Sequence, residues 1–149
     1  MEHFENAEQI LDFAIEREEE AAQSYRQLAE QSERAELRRL FEEFAQEEII
    51  HREKLLLVKS QKLLLPSQDK LFDLRVHDYT VELPPEYAGS YQQALLLAIR
   101  KEKAARRLYQ DLAGRADDMN LCALLLALAD EEGKHQRQFE EYYDIYFLR

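Results

Sequence analysis

The sequence predicts an all-α protein, an antiparallel bundle of four long helices built as two hairpins with one long crossover between them. Three observations carry this prediction. Only three glycines and three prolines occur in 149 residues, too few for an all-β fold that turns every ten or so residues. All three prolines lie between residues 66 and 85, so the helical stretches fall into two blocks. The second block repeats the first.

The first block covers about residues 6–64 and divides at Gln31-Ser32-Glu33. This division predicts one helix over about residues 6–30 and a second over about residues 34–63. Both stretches carry apolar residues at the i, i+3, i+4, i+7 spacing of an amphipathic helix.

The second block covers about residues 89–146 and divides between Gly114 and Asp118. Glycine suits a helix end and aspartate suits a helix start, so we predict helices over about 90–114 and 118–146. The connection, residues 65–88, has no helical period and is long enough to run the length of a bundle. A chain of this length is expected to form a single domain, residues 1–149.

The internal repeat appears when residues 9–51 are compared with residues 93–135, an offset of 84. Fifteen of these 43 positions are identical, and no gap is needed. Shared leucine and alanine are expected of any two amphipathic helix pairs, but shared glutamate, tyrosine and histidine are not. We therefore interpret the two hairpins as copies of one ancestor that pack about a pseudo-twofold axis.

Charge and composition exclude several classes of function. The net charge is −11, whereas nucleic acids and anionic lipids are bound by basic surfaces. No apolar run approaches the ~18–20 residues of a membrane-spanning helix. The single cysteine, Cys122, excludes an intrachain disulfide, and residues 1–5 do not resemble a signal peptide. We expect a cytoplasmic protein that binds neither nucleic acid nor membrane.

The apolar stripe of each predicted helix is interrupted near its middle by ionisable residues, which would face one another inside the bundle. These are Glu18 in the first helix, Glu48 and His51 in the second, Glu102 in the third, and Glu132 and His135 in the fourth. Burying four carboxylates together costs several kcal/mol each unless positive charge compensates them. Two divalent cations would neutralise the four glutamates.

The spacing also suits metal binding. Glu-x-x-His, present as Glu48–His51 and Glu132–His135, places an oxygen and a nitrogen ligand on one helical face. One such motif arises often by chance, but two at the same offset do not. With a lone glutamate from each remaining helix, this is the ligand pattern of di-iron and di-manganese sites in bundle cores. Oxygen-rich ligands with one imidazole per metal suit iron or manganese better than a structural zinc site.

On these residues the sequence resembles the ferritin-like di-iron carboxylate superfamily, and specifically its rubrerythrin-type branch. The similarity lies in residues 14–25 and 41–51 and in their second copies, residues 98–109 and 125–135. It covers the four helices but not the crossover.

The resemblance implies a role for each residue of the motif. Glu18 and Glu102 match the terminal carboxylate ligands, and Glu48 and Glu132 match the bridging carboxylates. The terminal imidazole ligands are matched by His51 and His135. Tyr25 and Tyr109 match tyrosines that hydrogen-bond the ligand carboxylates; their alternative is a purely structural place in the core. No catalytic residue separate from these ligands is implied.

Two features depart from rubrerythrins. Ala105 stands where they carry an additional carboxylate, three residues after the third-helix ligand, and a single cysteine cannot hold a rubredoxin iron. The remaining symmetric six-ligand set is similar to that of bacterioferritins and di-iron hydroxylases. Any electrons must therefore come from an external donor.

The resulting functional prediction is an oxidoreductase with two iron ions, manganese being the alternative metal. It would react with O2 or H2O2, in iron oxidation or in peroxide detoxification. Three other functions stay open: a di-iron hydroxylase acting on an organic substrate, a ferritin-style storage cage, and a metal-free structural or interaction bundle. Native mass measurement would detect the cage, and metal analysis would exclude or support the metal-free bundle.

Several residues outside this set have simpler interpretations. His3 and His77 are expected in solvent, and Cys122 is expected to be a small buried residue. Glu47 and Glu131 also lie one turn from the histidines, but one position off the stripe, as surface groups or as contacts of the ligands. Gly133 permits close packing, permits a bend near the metal, or has no role. The apolar tail, residues 142–148, either caps the core or forms a contact in a homodimer or larger homo-oligomer.

Overall fold

The computed structural model of the chain describes residues 3–61, 66, 68–71 and 73–148. Its helices are α1 (Ala7–Gln31), α2 (Ala35–Ser60), α3 (Gln68–Leu71), α4 (Tyr91–Arg115) and α5 (Met119–Tyr143). A 3₁₀ turn (Val76–Tyr79) lies between α3 and α4, and a π-helical turn (Asp144–Leu148) follows α5. All but α3 are long, and the prediction of an all-α four-helix bundle is confirmed.

Side-chain caps fix where three of the long helices begin. Asn6 accepts a hydrogen bond from the backbone of the first turn of α1, and Asp118 does the same for α5. Ser90 and Gln93 form a reciprocal capping box at the start of α4. Such caps satisfy backbone N–H groups that have no partner inside the helix. Gly89 precedes this box with a φ of 75°, a conformation that glycine adopts without steric cost.

Two helix ends differ from the sequence prediction. Helix α2 was expected to reach residue 63 but ends at Ser60, where the N–H of Gln61 donates to the carbonyls of Leu57 and Val58. Residues 62 and 63 lie outside the described residues. Helix α5 was expected to reach residue 146, but its α-helical part ends at Tyr143 and the chain continues as the π-helical turn.

The apolar core is divided into two clusters, one at each end of the bundle. One cluster contains the start of α1, the end of α2, the end of α4 and the start of α5. The other contains the opposite halves of the same helices. Along every long helix the buried ionisable residues lie between the members of the two clusters. The bundle therefore holds a buried charged layer at mid-height, with dry packing above and below it.

The two ends of the bundle differ in chemistry although their sequences are related. Phe41, Phe44 and Phe139 fill one end, with ring centroids 5.3–5.8 Å apart. At the other end, the positions related to them by the 84-residue offset are all leucine: Leu125, Leu128 and Leu55. The sequence repeat is therefore not matched by the packing at the two ends of the bundle.

The crossover is held against α1 and α4 by an aromatic anchor. Tyr79, which is buried, donates a hydrogen bond to Asp111 of α4 at 2.6 Å. Phe4 lies between Tyr79 and Phe13 of α1, with ring centroids 6.4 and 5.4 Å away. The crossover thus covers the side of the bundle where α1 and α4 meet.

Candidate metal centre

All six ionisable residues that interrupt the apolar stripes meet in the buried charged layer. Their potential ligand atoms fall into two groups, and within each group these atoms all lie within 4.8 Å of one another. The first group is Glu18, Glu48, His51 and Glu132, and the second is Glu48, Glu102, Glu132 and His135. Glu48 and Glu132 belong to both, as bridging groups would.

Helix geometry explains why these side chains converge. A Glu-x-x-His pair lies about one turn apart on a single helical face, and in both α2 and α5 that face is turned inward. Glu18 on α1 and Glu102 on α4 complete the layer from the other two helices. None of the six is more than 2% exposed, so water cannot solvate their charges.

Each histidine turns its Nδ1 atom toward the carboxylates. Nδ1 of His51 lies 2.7 Å from Glu132, 3.6 Å from Glu18 and 3.8 Å from Glu48. Nδ1 of His135 lies 2.8 Å from Glu48 and 3.7 Å from Glu102. Both imidazoles therefore present one nitrogen to the space between the glutamates.

The outer nitrogen of each histidine contacts a glutamate of the opposite hairpin. Nε2 of His51 contacts Glu131 of α5, and Nε2 of His135 contacts Glu47 of α2. Glu131 and Glu47 are roughly half exposed. A carboxylate on the outer nitrogen fixes the orientation of a ligand histidine and raises its basicity. The sequence left these glutamates either as surface groups or as contacts of the ligands, and the structure shows the second, with the histidines as their partners.

The two buried tyrosines make crossed contacts of the same kind. Tyr25 of α1 donates to Glu102 of α4, and Tyr109 of α4 donates to Glu18 of α1. Both tyrosine side chains are buried. Each lone glutamate is thus oriented by a hydroxyl from the other hairpin.

Electrostatics show how unfavourable this layer is without cations. Burial raises the pKa of Glu48 and of Glu132 well above the usual range, and the neighbouring carboxylates raise it further. Burial also raises the pKa of Glu102, to about 8, although a hydrogen bond with Glu132 opposes this. Burial opposes ionisation of Glu18, but hydrogen bonds with Glu48, His51 and Tyr109 outweigh it and lower its pKa. Glu48, Glu102 and Glu132 therefore retain protons where positive charge is needed, whereas Glu18 ionises more readily.

His51 behaves as the cationic member of the layer. Burial lowers the pKa of His51, but hydrogen bonds with Glu132 and Glu18, together with their charges, raise it to about 10. A protonated imidazole among carboxylates supplies one positive charge, fewer than four glutamates require.

The donor atoms fit a pair of divalent cations. Oε2 of Glu18, Oε1 of Glu48, Oε2 of Glu102 and Nδ1 of His135 are buried and have no hydrogen-bond partner among the described residues. Buried polar atoms are rarely left unpaired in native proteins. Here the unpaired atoms all face the same space, and the set is rich in oxygen with one imidazole per group, which suits iron or manganese. The residues present therefore fit the metal pair that the sequence predicts.

A cavity of about 80 Å³ connects this layer with the surface between α1 and α4. All four buried glutamates line it, together with small and apolar residues of α1 and α4. Tyr79 and Val81 of the crossover form part of its wall. Sequence reasoning did not predict this cavity, because it depends on how the crossover lies over the two helices.

The remaining expectations concern residues outside the layer. His3 and His77 are exposed, as expected. Cys122 is half-buried against the leucine-rich end of the core, so it is less buried than expected. The side chains of Tyr142, Tyr143, Tyr146 and Phe147 pack on the aromatic end of the core, while Ile145 and Leu148 stay exposed. The tail therefore caps this end of the bundle.

Gly133 is buried beside the charged layer without backbone strain. A Cβ atom added there would lie 3.5 Å from side-chain atoms of Arg106 and Arg137, an ordinary van der Waals distance. The close-packing interpretation of this glycine is therefore not needed. Within the described residues, no helix is both long enough and apolar enough to cross a membrane.

Comparison with solved structures confirms the ferritin-like architecture. A Thermotoga maritima protein, described provisionally as a ferritin-like diiron-carboxylate protein, superposes with a TM-score of 0.76 at 25% identity. The alignment covers 96% of this chain and 97% of that one. A hypothetical protein from Pyrococcus furiosus superposes with a TM-score of 0.70 at 22% identity, over 93% of this chain and 89% of that one.

Comparison with sequences identifies the family. No curated protein sequence matches the chain at a significant level. The sequence model of the rubrerythrin family, however, matches residues 9–87 and 93–149. This match includes every residue of the buried charged layer and spans nearly the whole chain, so the protein belongs to the rubrerythrin family.

Proposed function

We propose that the protein is a di-iron oxidoreductase that binds two iron ions and oxidises them with O2 or H2O2. The observation that carries this proposal is the pair of ligand groups that share Glu48 and Glu132. Glu18 and His51 would complete one metal site, and Glu102 and His135 the other. The physiological role would be iron oxidation or peroxide detoxification, with an external donor returning the electrons.

Two iron ions bound by these ligand groups would supply two electrons to one oxidant. The chain's own residues would set the conditions for that chemistry. The crossed tyrosine contacts hold Glu18 and Glu102 in place, and Glu131 and Glu47 hold the histidines. The apolar clusters above and below the layer exclude bulk water. The four glutamates would neutralise the charge of two divalent ions.

The size of the cavity favours a small oxidant over an organic substrate. Pockets for organic ligands have volumes of roughly 300–1,000 Å³, whereas the cavity that reaches the glutamates holds about 80 Å³. A neighbouring cavity of about 140 Å³ lies farther along the same two helices. Even the two together fall short of that range, which favours reaction with a small oxidant over a hydroxylase that acts on an organic substrate.

Other expectations from the sequence remain part of this proposal. Manganese is the alternative to iron, since the donor atoms suit both. We also propose that the protein works in the cytoplasm as a homodimer or larger homo-oligomer, and that its two hairpins arose by duplication. The shared residues of the two hairpins support the duplication.

The deciding experiment is metal analysis of freshly purified protein, followed by anaerobic loading with Fe²⁺ and exposure to O2 or H2O2. We expect about two iron ions per chain and the absorption of a ferric pair after oxidation. Protein that retains no metal would support the structural bundle instead. Two bound metals without any ferric absorption, with either oxidant, would refute the redox function but not the metal site.

Variants test the shared ligands directly. We expect Glu48→Ala and Glu132→Ala each to abolish binding of the metal pair, because each carboxylate lies in both ligand groups. Glu42→Ala is the matched control, since Glu42 is an exposed residue of the same helix α2. Loss of only one metal, with the other bound normally, would show that neither glutamate is shared. Native mass measurement of the same samples separates a small oligomer from a storage cage.

A further inference from the structure

The seam between α1 and α4 is lined by small side chains from both helices. Ala14 and Ala21 of α1 and Ala104 and Ala105 of α4 line the cavity that reaches the charged layer. Alanine at these positions leaves space that a larger side chain would fill. The opening at the seam therefore results from small side chains on both helices, since protein cores are otherwise closely packed.

The opening leads to the carboxylates from the side where α1 and α4 meet. All four buried glutamates line the α1–α4 cavity. On the opposite side, the groove between α2 and α5 is lined by His135 but by none of these four glutamates. There, the contacts of the histidines with Glu131 and Glu47 close the layer.

Two cations stand at this opening. Arg17 and Lys101 both line the cavity and are half-buried, and each directly precedes the lone glutamate of its helix. The offset of 84 residues relates them to each other. Nε of Arg17 is buried and has no hydrogen-bond partner among the described residues, while its Nη2 pairs with Glu20 at 2.8 Å and with Glu16 at 3.4 Å. No described residue forms an ion pair with Lys101.

The volume limits what this opening can admit. A cavity of about 80 Å³ has room for several water-sized molecules, since one water needs roughly 10–15 Å³ of such volume. Tyr79 of the crossover forms part of the cavity wall. Its hydrogen bond to Asp111 holds its side chain in place. A ligand of two or three heavy atoms fits this space.

We infer that small anions reach the metal pair through the α1–α4 seam, that Ala105 sets the size they can have, and that Arg17 and Lys101 favour negative charge. This inference rests on the proposed metal pair, because four buried carboxylates without cations would repel an anion. Arg17 and Lys101 act on the approach of the ligand through their electric field. Ala105 acts through the space that it leaves free.

The test uses full-length protein loaded with two Co²⁺ ions per chain, with azide as the probe and visible absorption as the readout. We expect wild-type protein to bind azide, and Ala105→Leu to weaken binding about tenfold or more because three added carbons fill the cavity. Ala105→Val is a milder variant that should fall between the two. The matched control is Ala123→Leu, an exposed alanine of α5, which should not change azide binding.

The cations are tested by the double variant Arg17→Gln, Lys101→Gln. Azide affinity of wild-type protein should fall as salt is added, because salt screens these charges. The double variant should bind azide more weakly at low salt and depend less on salt. A merely structural role for the two residues would lower affinity without changing its salt dependence, and that result would refute their part in attraction.

The outcomes separate this inference from the proposed function. Wild-type protein that holds two Co²⁺ ions but binds azide equally well after Ala105→Leu would overturn the seam as the access route, leaving the metal pair intact. Failure of such loaded wild-type protein to bind azide at all would overturn it too. Wild-type protein that cannot hold two Co²⁺ ions would contradict both the proposed function and this inference.

Discussion

Replacing Glu102 by glutamine should make the metal-free protein more stable, and the gain should grow with pH. Glu102 is buried, and burial raises its pKa from an ordinary 4.5 to about 8. Between pH 4.5 and about pH 8, the carboxyl group of Glu102 is protonated in the folded state but ionised in the unfolded state. Its contribution to stability therefore decreases as pH rises through this window, by about 1.4 kcal/mol per pH unit.

The size of the stability gain follows from the difference between the pKa values of Glu102 in the folded and unfolded states. At pH 5.5 the shift costs about 1 kcal/mol, and at pH 7 about 3 kcal/mol, relative to a group with an unshifted pKa. Glutamine has a similar shape, carries no charge and can still accept the hydrogen bond from Tyr25. Glu102→Gln should therefore recover most of this cost in protein stripped of metal.

The assay is urea unfolding of both proteins with chelator present, at pH 5.5, 6.25 and 7. The difference in unfolding free energy should widen from about 1 to about 3 kcal/mol across that range. With saturating Fe²⁺ the order should reverse, because metal stabilises only the folded form that can bind it. A difference independent of pH, or a less stable variant at pH 7, would refute the argument that this carboxyl is strained by burial.

Three further predictions follow from other parts of the structure. Gly133→Ala should raise the unfolding free energy by about 1 kcal/mol, since alanine favours helix and its Cβ meets no close contact; a loss of stability in urea unfolding would show that the nearby arginines cannot accommodate it. Leu55→Ala should lower the unfolding free energy by about 2–5 kcal/mol, since Leu55 is fully buried. A loss below 1 kcal/mol in urea unfolding would mean that neighbouring side chains move to fill the space left by the leucine. The double variant Glu47→Gln, Glu131→Gln should weaken metal binding about 10–100-fold, measured by competition with a chelator; unchanged affinity would show that the outer contacts of the histidines do not support the ligands.

Much of the fold could be predicted from the sequence because amphipathic helices leave a local pattern of apolar residues. Periodic leucine and alanine mark the buried faces, and Asp118 marks the start of α5. The convergence of the six ionisable residues was predictable for the same reason. A charged residue at the centre of an apolar stripe lies on the buried face of its helix and therefore points into the bundle.

The parts that could not be predicted depend on contacts between distant segments. Glu131 and Glu47 lie off the stripe, and only the relative rotation of α2 and α5 shows that they reach the histidines. The α1–α4 cavity depends on where Tyr79 of the crossover rests. A signal for Arg17 and Lys101 was present in the repeat, since each precedes the lone glutamate of its helix.

The crossed contacts have a consequence for how the molecule holds together. Each ligand group includes side chains from both hairpins. Glu18 and Glu102 each accept a hydrogen bond from a tyrosine of the other hairpin. Packing within a hairpin, α1 on α2 or α4 on α5, does not need metal. Two metal ions would therefore link the hairpins at mid-height, in addition to the apolar clusters that both hairpins share above and below the layer. Metal binding should then strengthen the contact between the hairpins as well as neutralise the glutamates.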